Sequence, residues 1–270
     1  MPDSPVRRDA YLDAAPGVRK RGSGRKAATR LTITLLCLTL LGVSPARAGR
    51  PLDTEDTGTL DPGTAEVELY VGVVDDSGDR AWASAGVLNV GLARRLEASM
   101  EIGGAYLQRR DEADQAGVID LLVGLKYRLL DETQTWPALL ASVRLRLPTG
   151  DAGRGLGSEG IDVLPRLAVS KTFGSLTLIA NGGYTFVTAD RALDSWLLSG
   201  ATEYQLAPAW TAVAEVVSFL GARDAPDVAV ARAGLVHVLG RSIRLDMAVG
   251  VGLTRHAPSV LATAGVTIPF

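Results

Sequence analysis

The sequence predicts an all-β fold: a transmembrane antiparallel up-and-down β-barrel of about 12 strands, preceded by a cleaved signal peptide. Three observations carry that expectation. From about residue 64 onward, segment after segment alternates apolar and polar residues. The connections between those segments alternate between short and long. The chain also begins with an export-type segment and closes on an alternating strand that stops at Phe270. Successive side chains of a strand point to opposite faces, so each segment has one greasy face and one that is small or polar. About ten residues of such alternation is what a tilted strand needs to cross a bilayer.

The export segment comes first. Residues 31–44 are an apolar run, preceded by Arg19, Lys20, Arg21, Arg25, Lys26 and Arg30 and followed by Pro45-Ala46-Arg47-Ala48. The run is too short for a membrane helix, which needs about 20 apolar residues. Ala46 and Ala48 form a small-x-small cleavage signal, so cutting after Ala48 leaves Gly49 as the mature start. Arg7-Arg8 lies too far upstream to act as a twin-arginine signal, and no lipoprotein box precedes Cys37. Cys37 is the sole cysteine, so a mature chain would hold no disulfide, thiolate metal site or cysteine nucleophile. Nine of the 28 basic and three of the 30 acidic residues fall in 1–48, leaving 19 against 27, a net charge near −8. A chain of that sign is repelled by nucleic acid, and no nucleic-acid partner is expected. Residues 49–63 read as a periplasmic lead segment or a small plug, and 64–270 as the barrel.

Alternation places strands at 64–74, 81–93, 96–107, 117–130, 138–147, 161–173, 175–187, 195–206, 209–219, 228–238, 242–253 and 259–270. Tight turns fall at Arg94-Arg95, Gly174, Ala207-Pro208 and Leu239-Gly240-Arg241. Longer polar links fall at 75–80, 108–116, 148–160, 188–194, 220–227 and 254–258. Short turns at one rim and longer loops at the other are how transmembrane barrels are built. The link 131–137 is longer than its class should have. An even strand count puts both termini on the short-turn, periplasmic side.

Parity assigns the faces. Strand one turns Val67, Leu69, Val71 and Val73 to lipid and Glu66, Glu68 and Tyr70 inward. Strand four turns Ile119, Leu121, Val123, Leu125 and Tyr127 outward and Asp120, Lys126 and Arg128 inward. Strand five keeps Ser142, Arg144 and Arg146 inside, and strand eleven keeps Arg244 and Asp246 inside. The remaining lumen candidates are Glu97, Glu101, Asp162, Arg166, Glu203, Glu215 and Arg232. A soluble lipocalin-like barrel would show the same alternation inverted. The aromatics weigh against it, because Trp82, Tyr106, Tyr127, Phe173, Tyr184, Phe186, Trp196, Tyr204, Trp210, Phe219 and Phe270 mostly lie near strand ends, as interfacial girdles do. The terminal Phe270 also resembles the signal by which outer-membrane barrels engage their assembly machinery.

The inward charges are the one rich constellation. Arg144, Arg146 and Arg166 lie on adjacent strands, with Glu66 and Glu68 roughly across a barrel of this size. Such a disposition would set a transverse field over a narrow pore. The plainer reading is that these charges are paired and keep the interior compatible with water. Catalysis has little support: the only histidines are His237, at the short-turn rim, and His256, in the last outer loop with Ser259 nearby but no orienting partner. No metal site and no cofactor are expected, and the glycine-containing stretch 148–157 lacks the Gly-Lys-Ser/Thr of a phosphate loop.

Two stretches resemble a known family. They are Arg50-Pro51-Leu52-Asp53-Thr54-Glu55-Asp56-Thr57-Gly58-Thr59 with Gly63 and Glu66-Val67-Glu68, and Pro137-Ala138-Leu139-Leu140-Ala141 running through Arg144 and Leu147 to Pro148-Thr149-Gly150-Asp151. Both are similar to the phenol-degradation meta-pathway outer-membrane proteins, and the similarity runs through most of the mature chain. Asp53 departs from that pattern, which expects an apolar residue there. The resemblance implies an outer-membrane barrel of a Gram-negative bacterium that admits hydrophobic or aromatic compounds. The expected function is an outer-membrane channel passing small solutes by diffusion. A non-conducting structural or surface-binding barrel is the alternative. Expected partners are outer-membrane lipid and lipopolysaccharide, the barrel-assembly machinery and a small-molecule solute.

Overall fold

The computed structural model describes residues 49–270 except 111 and 241. The signal-peptide reading of 1–48, with Ala46 and Ala48, lies outside the described residues. Thirteen strands form one sheet: β1 (Ala65–Asp76), β2 (Asp79–Ala93), β3 (Leu96–Gln108), β4 (Gln115–Val118), β5 (Leu121–Leu130), β6 (Ala138–Leu147), β7 (Asp162–Phe173), β8 (Leu176–Val187), β9 (Ser195–Ala207), β10 (Trp210–Gly221), β11 (Val228–Leu239), β12 (Ile243–Gly252) and β13 (Val260–Pro269). Every pairing is antiparallel, and with β1 bonded to both β2 and β13 and β2 bonded to β3 the sheet closes on itself; of the described strands only the short β4 is paired on one side alone. Strands β4 and β5 are two parts of one stave, because both pair with β3. The barrel therefore has twelve staves.

The interruption between β4 and β5 corrects the sequence reading. Ile119 was expected to face lipid; it is buried inside, while Val118 is turned outward and exposed. The cause is Asp120, whose two carboxylate oxygens accept the Gly150 and Ser158 backbone N–H groups at 2.9 and 2.6 Å. That anchorage draws two successive residues inward and breaks the strand's period. A second correction concerns 75–80, expected as a longer link. Pairing continues to Asp76 opposite Asp79, and a two-residue turn of Ser77 (φ 58°) and Gly78 (φ 102°) closes the hairpin. Positive φ at both central residues matches the right-handed twist of the flanking strands, and glycine adopts it without a steric penalty.

The parity of the wall separates a membrane barrel from a soluble one. Outward Leu69, Val71, Met247 and Val249 are 48, 57, 61 and 64 % exposed, whereas inward Glu68, Arg166, Glu215 and Asp246 are buried. Lipid can cover the first set, since hydrocarbon tolerates apolar side chains and offers no partner to the backbone. Rings mark both rims. Trp82 stands opposite Tyr106 near one rim, and there Tyr184 meets Trp196 edge-on at 4.7 Å. At the short-turn rim the Trp210 ring stacks on His237 at 4.1 Å, and Phe270 is exposed. Phe219 departs from the girdle expectation by facing inward, where it is buried.

Phe219 belongs to a layer that the sequence reading missed. Inward residues near the long-loop rim, including Val74, Leu107, Ile119, Leu197, Val217, Val228, Val230 and Leu261, pack together as an apolar core. Leu156 and Ala257, from the loops 148–161 and 253–259, fold into it. The interior is thus stratified, with apolar packing toward the long loops and charge toward the short turns. An arginine at the centre of the outward parity should cost about 2–4 kcal/mol. We expect Val249→Arg to lower the folding stability in lipid by that amount, and Val249→Ile to leave it nearly unchanged, in urea titrations of bilayer-refolded protein.

Candidate functional site

The charged layer is organised by the segment ahead of β1. Pro51, Pro62, Gly58 and Gly63 discourage a regular ladder there, so its backbone groups must find partners elsewhere. They find them on the inner wall, and the partners run from β12 and β13 at the start of the segment to β3 and β2 at its end. Arg50 Nη2 donates to Thr263 (2.7 Å) and Asp246 (3.4 Å), and its guanidinium lies 4.0 Å over the Tyr70 ring. Asp53 accepts from Arg232 Nη2 at 2.7 Å, and its carbonyl accepts from Arg166 at 3.3 Å. The backbone N–H groups of Asp53 and Thr54 both donate to the Glu215 carboxylate, at 3.1 and 2.9 Å, and the Thr54 hydroxyl adds a third bond at 2.8 Å. Glu55 exchanges two backbone bonds with the Asn181 amide and accepts from Ser142 Oγ at 2.5 Å. Thr57 bonds Ser170 at 2.6 Å, the Leu60 N–H donates to Glu97 at 2.8 Å, and Gly63 donates to the Gly91 carbonyl at 2.8 Å. The segment is a belt inside the barrel, fastened from β12 round to β2.

Each residue singled out in the sequence has a definite place. Glu66 pairs with Arg244 at 2.9 Å, and Glu68 accepts from Asn89 at 2.9 Å. Lys126 lies 3.7–3.9 Å from Glu55, Asp56 and Glu97. Arg144 lines a cavity beside the belt together with Glu66, Glu68, Lys126, Arg166 and Arg244. Arg146 pairs with Asp162 at 3.2 Å, both buried. Arg232 bridges Asp53 and Glu215 at 2.7 and 3.3 Å. Glu203 is buried, and its Oε1 has no hydrogen-bond partner among the described residues. Two members lie away from this group: Asp120 secures the loop 148–161, and Arg128 pairs with Asp131 at the turn 131–137, 3.2 Å away. Phe270 acts through its backbone, exchanging hydrogen bonds with Ala65 at 2.9 and 3.0 Å to close the seam.

The cavity has a volume of about 590 Å³ and reaches Pro208, Ser242 and Pro269 at the short-turn rim. The belt forms one of its walls. Sequence reading passed over Arg50, Asp53 and Glu55 as lumen residues, although four acidic residues and one arginine within 49–63 are a dense charge pattern for a tail. Burial pushes the Glu55 carboxyl up, but the attraction of Lys126, Arg166 and Arg144 and the Ser142 hydrogen bond outweigh it, so its pKa lies below the ordinary value.

The sequence from residue 48 to 270 matches the family described as "Putative MetA-pathway of phenol degradation". The chain belongs to this family. No curated protein matches it in sequence. Among solved structures, it is similar to an outer membrane channel from Pseudomonas putida F1, with 17 % identity, a TM-score of 0.66, and coverage of 81 % of this chain and 100 % of that one. It is also similar to the NanC porin, at 12 % identity and TM-score 0.55 over 74 % of this chain and 98 % of that one. The KdgM porin in complex with disordered oligogalacturonate follows at 11 % identity and TM-score 0.54, over 76 % of this chain and 99 % of that one. These likenesses establish the fold of this family member as an outer-membrane barrel.

Two predictions follow from the belt's fastenings. Removing one partner of a buried charge pair costs about 3–5 kcal/mol, so Glu215→Ala should loosen the belt and expose residues 50–60 to protease in the detergent-refolded protein. Glu55 contributes stability because its folded pKa is depressed. That contribution is complete above the ordinary glutamate range, near 4.3, and is lost as pH falls through the depressed value. The stability difference between wild type and Glu55→Gln should therefore be constant around neutrality and shrink on acidification below that range.

Proposed function

We propose that the protein is an outer-membrane channel that passes small solutes by diffusion, hydrophobic or aromatic compounds among them, and that it is not an enzyme. The observation that carries this reading is a cavity of about 590 Å³ in the charged layer of a membrane-spanning barrel, closed off by a belt rather than by the wall. A volume of that order suits a small molecule. Twelve staves give a bore between the side-chain-filled eight-stranded barrels and the open sixteen-stranded porins, which favours a narrow conduit. Glu66, Glu68, Lys126, Arg144, Arg166, Glu203, Glu215, Arg232, Arg244 and Asp246 are the proposed lining of the path, with Arg146 and Asp162 as a paired layer above it. The similar P. putida protein is described as an outer membrane channel, which agrees with this reading. His237 is engaged in stacking on Trp210 and bonding the Ala209 carbonyl, which suits an architectural role better than proton transfer.

Outer-membrane lipid and lipopolysaccharide would contact the apolar wall and the long loops, and the assembly machinery would read the strand that ends at Phe270. A sealed barrel of purely structural or surface-binding role is the second reading, favoured by the apolar packing toward the long loops. Planar-bilayer recording separates the two. The channel reading expects small stepwise currents from the wild type and larger ones when residues 50–60 are deleted. Silence from both proteins would favour the sealed barrel.

A further inference from the structure

The belt occupies a particular part of the wall with a particular chemistry. Glu55 accepts a 2.5 Å hydrogen bond from Ser142 Oγ on β6. In the register of the sheet, Ser142 stands directly between Lys126 on β5 and Arg166 on β7. Arg144 follows two residues further along the same face of β6, about 7 Å away. A carboxylate at Ser142 is therefore held by one hydroxyl and surrounded by three cations from three adjacent strands. In the wall, Glu97 of the neighbouring β3 stands 3.8 Å from Lys126, and Asp162 pairs with Arg146 one step outward. The belt adds counter-charge of its own, as Glu55 and Asp56 beside Lys126.

In the strand order, β11–β13 lie across the barrel from β5–β7; they carry Arg232, Arg244 and Asp246 in the charged layer, with Val228, Val230 and Leu261 of the apolar core further outward. The cavity lined by Lys126, Arg144 and Arg166 is also lined by the aliphatic side chains of Leu52, Leu60, Val87, Leu122 and Val238. A molecule in that cavity meets cations at one end and aliphatic side chains elsewhere along its wall.

We propose that Ser142, Lys126, Arg144 and Arg166 form a binding site for a small amphiphilic carboxylate, and that Glu55 of the belt occupies it as a built-in surrogate until such an anion displaces it. This rests on the reading of the lumen as a solute path and names the class of solute. The exchange is charge for charge, so no cation is left buried and unpaired, the outcome that would make a neutral molecule a poor substitute. The apolar body of the anion would lie against the aliphatic residues of the cavity wall. A neutral aromatic alcohol of the same size offers the body without the charge and cannot replace Glu55.

The test is binding to the refolded full-length protein in detergent, with benzoate as probe and benzyl alcohol as its neutral counterpart. If belt closure lowers the apparent affinity, weakening the belt should raise it by about the closed-to-open ratio, at least about tenfold. We expect Glu55→Gln to tighten benzoate binding by that factor in calorimetry and leave benzyl alcohol unchanged. Adding Arg144→Gln and Arg166→Gln should abolish the gain. The wild type supplies a readout that needs no variant: benzoate, but not benzyl alcohol, should accelerate proteolysis within residues 50–60. Equal effects of the two probes, or no effect of benzoate on either readout, overturn the proposal. Both readouts are independent of conductance, so a failure here leaves the channel reading standing, and silent bilayers leave this site standing.

Discussion

Hydrocarbon offers no hydrogen-bond partner, and the rest of this structure follows from that constraint. Every strand within the bilayer must pair on both sides, so the sheet closes where β13 meets β1 and Phe270 bonds the first strand's Ala65. Within the bilayer every outward side chain must be at home in lipid, which confines the ionised groups at that depth to the inner parity. Charge that has nowhere else to go accumulates around the axis, and burial there requires each group to be matched. The pairs Arg146–Asp162 and Arg244–Glu66 are matched within the wall. Lys126 and Glu215 have partners in the wall, Glu97 and Arg232, and gain further ones from residues 50–60.

The belt accordingly does two things at once. It removes a cost by giving Lys126 and Arg232 counter-ions and Glu215 three donors, and it narrows the lumen by lying across it. Many of its fastenings are hydrogen bonds between its backbone or side chains and wall side chains. Such a segment can be exchanged for another set of polar groups more readily than an apolar plug could. The packing toward the long loops has the opposite character: Leu156 and Ala257 are held there by burial, which is non-directional.

Much of the fold was legible because a period of two is hard to mistake once it recurs along a chain. The hairpin rhythm located the staves to within a few residues, and Glu215, Arg232 and Asp246 could be assigned inward from their neighbours alone. What escaped had physical reasons. Ile119 defied parity because Asp120 serves the loop 148–161 as well as its strand, a long-range demand that alternation does not encode. The hairpin at Ser77-Gly78 was read as a loop because its flanks are charged, although strands that project beyond a bilayer can carry charge on both faces. The apolar layer was overlooked because its members, such as Val217 and Val230, share their parity with Glu215 and Arg232. Asp53 broke the family pattern as a lead residue, and in the structure it sits between Glu215 and Arg232.

The direction in which the apolar parity points is the claim on which all this depends, and labelling along one strand tests it. Cys37 is the sole cysteine and lies ahead of the described residues, so single cysteines can be placed at each position from Leu245 to Gly250 on β12. In proteoliposomes, spin labels at 245, 247 and 249 should be accessible to oxygen dissolved in the bilayer, and those at 246, 248 and 250 should be shielded from it. An accessibility with the opposite phase, or with no period of two, would contradict the account.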